Sequence, residues 1–198
     1  AAASTEGAHY AYNFINKVEL KEGHKVLVNG ATGAIGSAAV QLLKYFGANI
    51  TAVCESRNSG LVKLLGANNV IDYTKEDFTK SGEKYNFVFD TVGKSTFGKC
   101  KPILTQDGIY ISSEPGTMAQ NVFFSLITPI FGKKQVKFPM PYDPGRSARF
   151  IKDLIEKKKF RAVIDKNYPL EQIADAFEYV EKGQKIGSVV ITIDHNKN

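Results

Sequence analysis

Short apolar runs alternate with stretches of helical spacing through most of this chain. Lys25-Val26-Leu27-Val28-Asn29 reads as a first strand. From about Ile35 to Phe46, the residues Ile35, Ala38, Ala39, Leu42, Leu43 and Phe46 recur on one helical face. Asn49 to Cys54 reads as a second strand, and Asn58 to Leu65 as a helix stopped by Gly66. Asn69 to Asp72, Asn86 to Asp90, Gly108 to Ser112 and Gln135 to Phe138 supply four more strands, with a helix expected from roughly Ser95 to Leu104. This alternation predicts an α/β fold, a parallel sheet covered by helices. The end of the chain changes character. An amphipathic helix is expected over Ser147 to Lys159, a short strand at Ala162-Val163-Ile164, a helix over Leu170 to Lys182 and a last strand over Ser188 to Ile193. The tail Asp194 to Asn198 reads as loose.

Composition narrows the class. With 198 residues, 43% hydrophobic and 23% charged, the chain can bury a core and does not read as disordered. Its most apolar stretch, Val122 to Phe131, is too short to span a bilayer, so no membrane partner is expected. Two cysteines, Cys54 and Cys100, make neither a disulfide framework nor a metal knuckle and fit a reducing compartment. The first residues, Ala1-Ala2-Ala3-Ser4, carry no signal-peptide pattern. A cytoplasmic setting is therefore expected, with room for a targeting signal upstream. The net charge of +6 is spread along the chain. Its densest cluster, Lys157 to Lys159 with Arg161, reads as a solvated helix end, and no nucleic-acid partner is expected.

The sharpest local signal is Val28-Asn29-Gly30-Ala31-Thr32-Gly33-Ala34-Ile35-Gly36, where a strand runs into three glycines and a helix begins at the third. Gly30 can turn tightly, Gly33 lets the backbone approach a diphosphate, and Gly36 lets helix and strand pack closely. The amides that open the helix then face the anion. The spacing is G-x-x-G-x-x-G, which departs from the commonest dinucleotide form.

Residues just past the second strand select the cofactor. Ser56 and Arg57 offer a hydroxyl and a fork of donors for the 2′-phosphate of NADP. Glu55 points the other way, as an acid for the ribose hydroxyls of NAD, and a one-residue shift of the strand end decides which side chain faces the pocket. The balance favours NADP over NAD. Other chemistries lack their residues. No Tyr-x-x-x-Lys pair, Gly-x-Ser-x-Gly elbow or Gly-Lys-Ser/Thr phosphate loop is present, and His9, His24 and His195 lie outside any pocket signature. Cys54 and Cys100 read as packing residues. No catalytic residue and no metal ligand is assigned.

The order of these signals carries a resemblance. Lys21 to Lys44 around the glycine loop is followed by Leu65-Gly66-Ala67, Val70-Ile71-Asp72-Tyr73, Phe89-Asp90-Thr91-Val92-Gly93, Gly108-Ile109-Tyr110, Val163-Ile164-Asp165, Tyr168-Pro169-Leu170 and Gly187-Ser188-Val189-Val190. Nearly the whole chain resembles the nucleotide-binding domain of the medium-chain dehydrogenase/reductase superfamily, in its zinc-independent quinone oxidoreductase and enone reductase branch. The resemblance implies a Rossmann-type, doubly wound parallel sheet of about six strands with helices on both faces. It implies that Gly30, Thr32, Gly33, Ala34, Ile35 and Gly36 cradle the cofactor diphosphate. Ser56, Arg57 and Tyr73 would hold the 2′-phosphate, Thr91, Val92 and Gly93 would line the cofactor, and Ser112 and Ser113 would lie toward the nicotinamide.

It further implies hydride transfer between NADPH and a small-molecule quinone, enone, aldehyde or related carbonyl, without zinc in this chain. Homodimers through the sixth strand, Gln135 to Phe138, are common among such relatives. Family members begin with a barrel-like catalytic domain that this sequence does not include. Residues 1–160 are therefore expected to form the dinucleotide-binding domain and residues 161–198 a segment completing the catalytic one. On this reading the chain is a fragment or a degenerate member, it binds cofactor with little turnover, and its last strand lacks partners. The alternative is a non-catalytic nucleotide-binding or structural protein.

Overall fold

In chain order the elements are α1 (Glu6–Asn16), β1 (Lys25–Asn29), α2 (Ala34–Tyr45), β2 (Asn49–Val53), α3 (Ser59–Leu65), β3 (Asn69–Ile71), β4 (Tyr85–Asp90), α4 (Phe97–Cys100), β5 (Leu104–Ser112), α5 (Gln120–Phe131), β6 (Gln135–Lys137), α6 (Pro144–Glu156), β7 (Ile164–Pro169), α7 (Ile173–Glu181) and β8 (Ser188–Thr192). They come from a computed structural model, which describes residues 2–140 and 143–193. The tail Asp194 to Asn198 lies outside the described residues.

The first six strands form one sheet in the order β3-β2-β1-β4-β5-β6, and every pair is parallel. This is the doubly wound order, with the chain reversing direction across the sheet between β1 and β4. Alternation along each strand divides the core. Val26 and Val28 of β1 point to one face with Ile50, Ala52, Phe87 and Phe89, under α1, α2, α3 and α6. Leu27 points to the other face with Val53, Val88, Tyr110 and Val136, under α4 and α5. Strands covered on both faces read as continuous apolar runs, so β1, β2 and β4 stand out in the sequence.

Four elements depart from expectation. Helix α1 answers to no element assigned from the sequence, yet it buries Ala8, Ala11, Tyr12, Phe14 and Ile15. The helix expected from Ser95 to Leu104 shrinks to α4 and a 3-10 turn, Lys101–Ile103, because Pro102 has no N–H to continue the ladder. β5 accordingly begins at Leu104. The apolar stretch Val122 to Phe131 is helical as α5 despite Pro129. The strand expected at Ala162–Ile164 forms later, at Ile164–Pro169.

The last strand also finds a partner. β8 pairs in parallel with β7 in a separate two-stranded sheet, contrary to the expectation of an unpaired edge. Its start is joined to the glycine turn as well. Gly187 N donates to Thr32 O at 2.6 Å, and Gly33 and Gly187 form an isolated parallel bridge.

Candidate functional site

The cleft is built from the turn between β1 and α2. Gly30 takes a positive φ of 78°, which glycine adopts without strain. A Cβ there would meet Val92 Cγ1 at 2.3 Å, and a Cβ on Gly36 would stand 2.1 Å from the Gly30 carbonyl oxygen. Both glycines are thus required by close packing of the turn on itself and on the end of β4. Gly33 differs: its added Cβ would meet only the Gly30 oxygen, at 3.6 Å, so its bareness leaves open space beside the turn. Gly33 is also the residue before α2, with no side-chain cap. The N–H groups of Ala34, Ile35 and Gly36 open that helix and have no intrahelical acceptor. An anion suits this place, and the helix dipole favours it.

The end of β4 braces the turn. Thr91 N and Thr91 Oγ1 both donate to Asn29 O, at 3.1 and 2.7 Å. Asp90 is fully buried, and its carboxylate accepts from Asn29 Nδ2 at 3.0 Å, Ser95 N at 2.9 Å and the Tyr110 hydroxyl at 3.0 Å. One side chain therefore ties the ends of β1, β4 and β5 together. Burial, then the Asp90 charge, raises the Tyr110 phenol far above its ordinary range, so Tyr110 stays a donor. Gly93 has a positive φ of 65° and packs on Glu114. Ser112 ends β5 opposite Asp90, and it is 1% exposed with its Oγ accepting from Glu114 N.

A second group gathers where β2 and β3 end. Their parallel pairing, Val53 beside Ile71, brings Ser56 to Asp72. Asp72 accepts from Ser56 N at 2.9 Å, from the Ser56 hydroxyl, and from Thr74 N and Oγ1 at 2.9 and 2.7 Å. These bonds, led by the Ser56 and Thr74 hydroxyls, hold its carboxyl well below the usual range. Arg57 Nε lies 2.6 Å from Glu55 Oε2, and the Tyr73 hydroxyl donates to Glu55 Oε1 at 2.9 Å. Lys75 Nζ donates to Ser56 Oγ at 2.8 Å. The expected trio Ser56, Arg57 and Tyr73 is therefore together. Lys75, which the sequence did not single out, adds a second cation. Glu55 also faces this group, so with Asp72 it holds two acids and two cations.

A cavity of about 490 Å³ opens over the turn, lined by Gly33, Ala34, Thr91 and Val92 on one side and by Glu6 and Lys185 on the other. Lys185 comes from the loop before β8, and its Nζ donates to Gly187 O at 2.8 Å. Burial lowers its pKa, with Asp165 and Glu6 opposing the shift. Lys185 is a cation facing the glycine turn that sequence reasoning missed.

Other chemistry finds little support. Burial pushes the Cys54 and Cys100 thiols up to about 11, so both stay protonated at neutral pH. Among the described residues no three His, Cys, Asp or Glu side chains gather to hold a metal. Nor is any helix among them long and apolar enough to cross a membrane.

Comparison with known proteins gives the same outline. A family model described as zinc-binding dehydrogenase matches residues 65–191. A chloroplastic quinone-oxidoreductase homologue of Spinacia oleracea is 30% identical over 192 residues, covering 93% of this chain and 58% of that protein. A mitochondrial NAD(P)H oxidoreductase of Mus musculus is 30% identical over 210 residues, covering 92% of this chain and 52% of its own length. Among solved structures, a quinone oxidoreductase from Coxiella burnetii superposes with a TM-score of 0.85 at 24% identity, over 98% of this chain and 60% of that one. The chain spans a little over half the length of these proteins.

Proposed function

The chain belongs to the zinc-binding dehydrogenase family, in the quinone oxidoreductase-like branch of the medium-chain dehydrogenase/reductase superfamily, and from that premise we propose that it is the NADP(H)-binding part of an oxidoreductase. The reaction is hydride transfer between NADPH and a quinone, enone, aldehyde or related small carbonyl. The observation that carries this reading is the glycine turn, with three helix-opening amides beside space that a Cβ on Gly33 would reduce.

When bound, the nicotinamide supplies the hydride chemistry. The residues of this chain bind and orient it. Ala34, Ile35 and Gly36 give their amides to the diphosphate, with Gly30, Thr32 and Gly33 shaping the turn. Ser56 and Arg57 hold the 2′-phosphate, Tyr73 supports them by holding Glu55, and Lys75 adds charge beside Ser56. Thr91, Val92 and Gly93 wall the cofactor at the end of β4. Ser112, 1% exposed at the end of β5, sets the wall toward the nicotinamide. No catalytic acid or base is assigned to these residues.

In this reading residues 1–160 are the dinucleotide domain, and the segment from 161 serves a catalytic domain. Two copies pair along the open edge of β6, and the setting is cytoplasmic. The alone-standing chain binds NADPH and turns over little substrate.

Titration of the chain with NADPH and NADH, followed by nicotinamide fluorescence, tests this. NADPH should bind more tightly. Arg57→Ala should weaken NADPH about 10- to 100-fold and leave NADH nearly unchanged, because it removes a charge-assisted bond that only the phosphate makes. Binding of neither cofactor overturns the site, whereas tighter NADH binding overturns only the preference and transfers the role to Glu55.

A further inference from the structure

Two carboxylates divide the donors at the ends of β2 and β3, and they are held differently. Asp72 is fixed by the backbone: it accepts from the N–H groups of Ser56 and Thr74, both at 2.9 Å, and takes the Ser56 hydroxyl as well. Lys75 Nζ lies 3.5 Å from its Oδ2. Glu55 is held by side chains alone. Its Oε2 stands 2.6 Å from Arg57 Nε, and its Oε1 accepts from the Tyr73 hydroxyl at 2.9 Å. Among the described residues no backbone N–H donates to this carboxylate. The Arg57 side chain is 62% exposed and that of Glu55 32%, so packing locks neither in place.

The consequence is a rivalry for one guanidinium. Arg57 carries the fork of donors that suits a phosphate monoester, and its Nε is already engaged by an acid. A phosphate monoester near neutral pH carries roughly −1.5 to −2 charges and three acceptor oxygens. A carboxylate offers a single charge and a pair of oxygens. The phosphate therefore takes Arg57 from Glu55, and breaking that pair offsets part of what it gains. A cofactor without the phosphate breaks no pair. Tyr73 gives the displaced carboxylate a place to stay, because its hydroxyl holds the other oxygen.

We propose that Glu55 is a specificity-determining residue: a resident carboxylate that competes with the 2′-phosphate of NADPH for Arg57 and so narrows the preference for NADPH over NADH. The inference rests on the cofactor reading above and names the residue that limits it. An acid at this place has another use, a direct bond to the ribose hydroxyls of NADH. The contacts favour the rivalry, since both Glu55 oxygens are taken by Arg57 and Tyr73.

Titrations of the parent, Glu55→Gln, Arg57→Ala and the double variant with NADPH and NADH, followed by nicotinamide fluorescence, test it. Glu55→Gln keeps the size of the side chain and removes its charge. It should bind NADPH about fivefold more tightly, the upper end for an exposed ion pair, and NADH within about twofold of the parent. In the Arg57→Ala background the same substitution should give no gain, because the contested donor is gone. A cofactor-free readout comes from the tyrosine ring signals in an NMR pH titration. The Glu55 hydrogen bond raises the Tyr73 phenol, so Glu55→Gln should move that titration to lower pH. NADPH binding unchanged or weakened in Glu55→Gln overturns the proposal, as does an equal gain for both cofactors, which marks a general effect of charge. A gain that survives Arg57→Ala, or an unmoved Tyr73 titration, overturns it too. A loss of NADH binding on the order of tenfold assigns Glu55 to the ribose instead. A parent that binds neither cofactor removes the cofactor reading and this inference with it, whereas every other outcome leaves that reading standing.

Discussion

At the glycine turn a single added methyl group would sit 2.1 Å from a backbone oxygen; around Ser56, Arg57 and Tyr73 stand more than half in water. Both regions belong to one candidate site, and they are built by different means. The turn uses main-chain atoms held by sterics and by the buried Asp90 hub, with no titratable side chain at the amides themselves. The Ser56 group uses side chains: Asp72, which orders a loop, Glu55, which holds Arg57 and Tyr73, two cations, a phenol and a hydroxyl. A diphosphate is common to every dinucleotide, so its holder can be rigid and invariant in chemistry. A 2′-phosphate distinguishes one dinucleotide from another, and its holder can be changed by substituting exposed residues without disturbing the core.

The largest effect that should separate the two regions is steric. Gly36→Ala places its methyl against the Gly30 carbonyl and the Ala31 Cα, both backbone, so no side-chain rotation relieves it. Overpacking of this kind costs about 1–3 kcal/mol, and the rigid neighbours put this case at about 3. For a chain of this size that lowers the melting temperature by roughly 6–12 °C. Binding of NADPH and NADH should fall together, because the amides serve both. A thermal melt and paired titrations check this, and a loss confined to NADPH would show that the turn is not the shared holder.

Acid should act on the second region. The native Asp72 pKa is depressed, so the stability it contributes is complete above the unfolded value of about 3.9 and is lost as pH falls through the native one. Urea midpoints measured from about pH 5 downward should decline, and Asp72→Asn should flatten that decline. An unchanged acid limb in Asp72→Asn would mean that the Ser56 and Thr74 bonds do not persist in solution.

These two regions also differed in how plainly the sequence displayed them. The β1–turn–α2 unit was readable because each of its causes is local: an apolar run buried on both faces, glycines at fixed offsets, and a helical stripe from Ile35 to Phe46. The doubly wound sheet followed from the same local signals repeated. Asp72 and Lys75 were not readable as partners of Ser56, since only the pairing of β3 beside β2 brings them together across 16 and 19 residues. Lys185 is more remote still, reaching the cleft because Gly187, just before β8, is bonded to Thr32. Helix α1 did carry a signal in Ala8, Ala11, Tyr12 and Ile15, spaced i, i+3, i+4 and i+7. It lacks a side-chain cap at Thr5 to mark its start.

The smallest effect concerns Tyr73, where the comparison becomes a question of mechanism. Its hydroxyl donates to Glu55 Oε1 while Glu55 Oε2 holds Arg57 Nε. Two roles fit a phenol in this position. It could touch the 2′-phosphate, or it could hold Glu55 and so set how much of the guanidinium remains for the phosphate. The geometry favours the second, because the hydroxyl is already committed to Glu55. Tyr73→Phe should then leave stability within about 0.5 kcal/mol, as for other exposed sites. It should weaken NADPH only a few-fold, roughly two to five, by freeing Glu55 to pair more fully with Arg57. The double variant with Arg57→Ala distinguishes the roles. If Tyr73 works through Arg57, its effect vanishes once Arg57 is gone, and the double variant binds NADPH like Arg57→Ala alone. Additive losses would instead make Tyr73 a direct ligand of the phosphate.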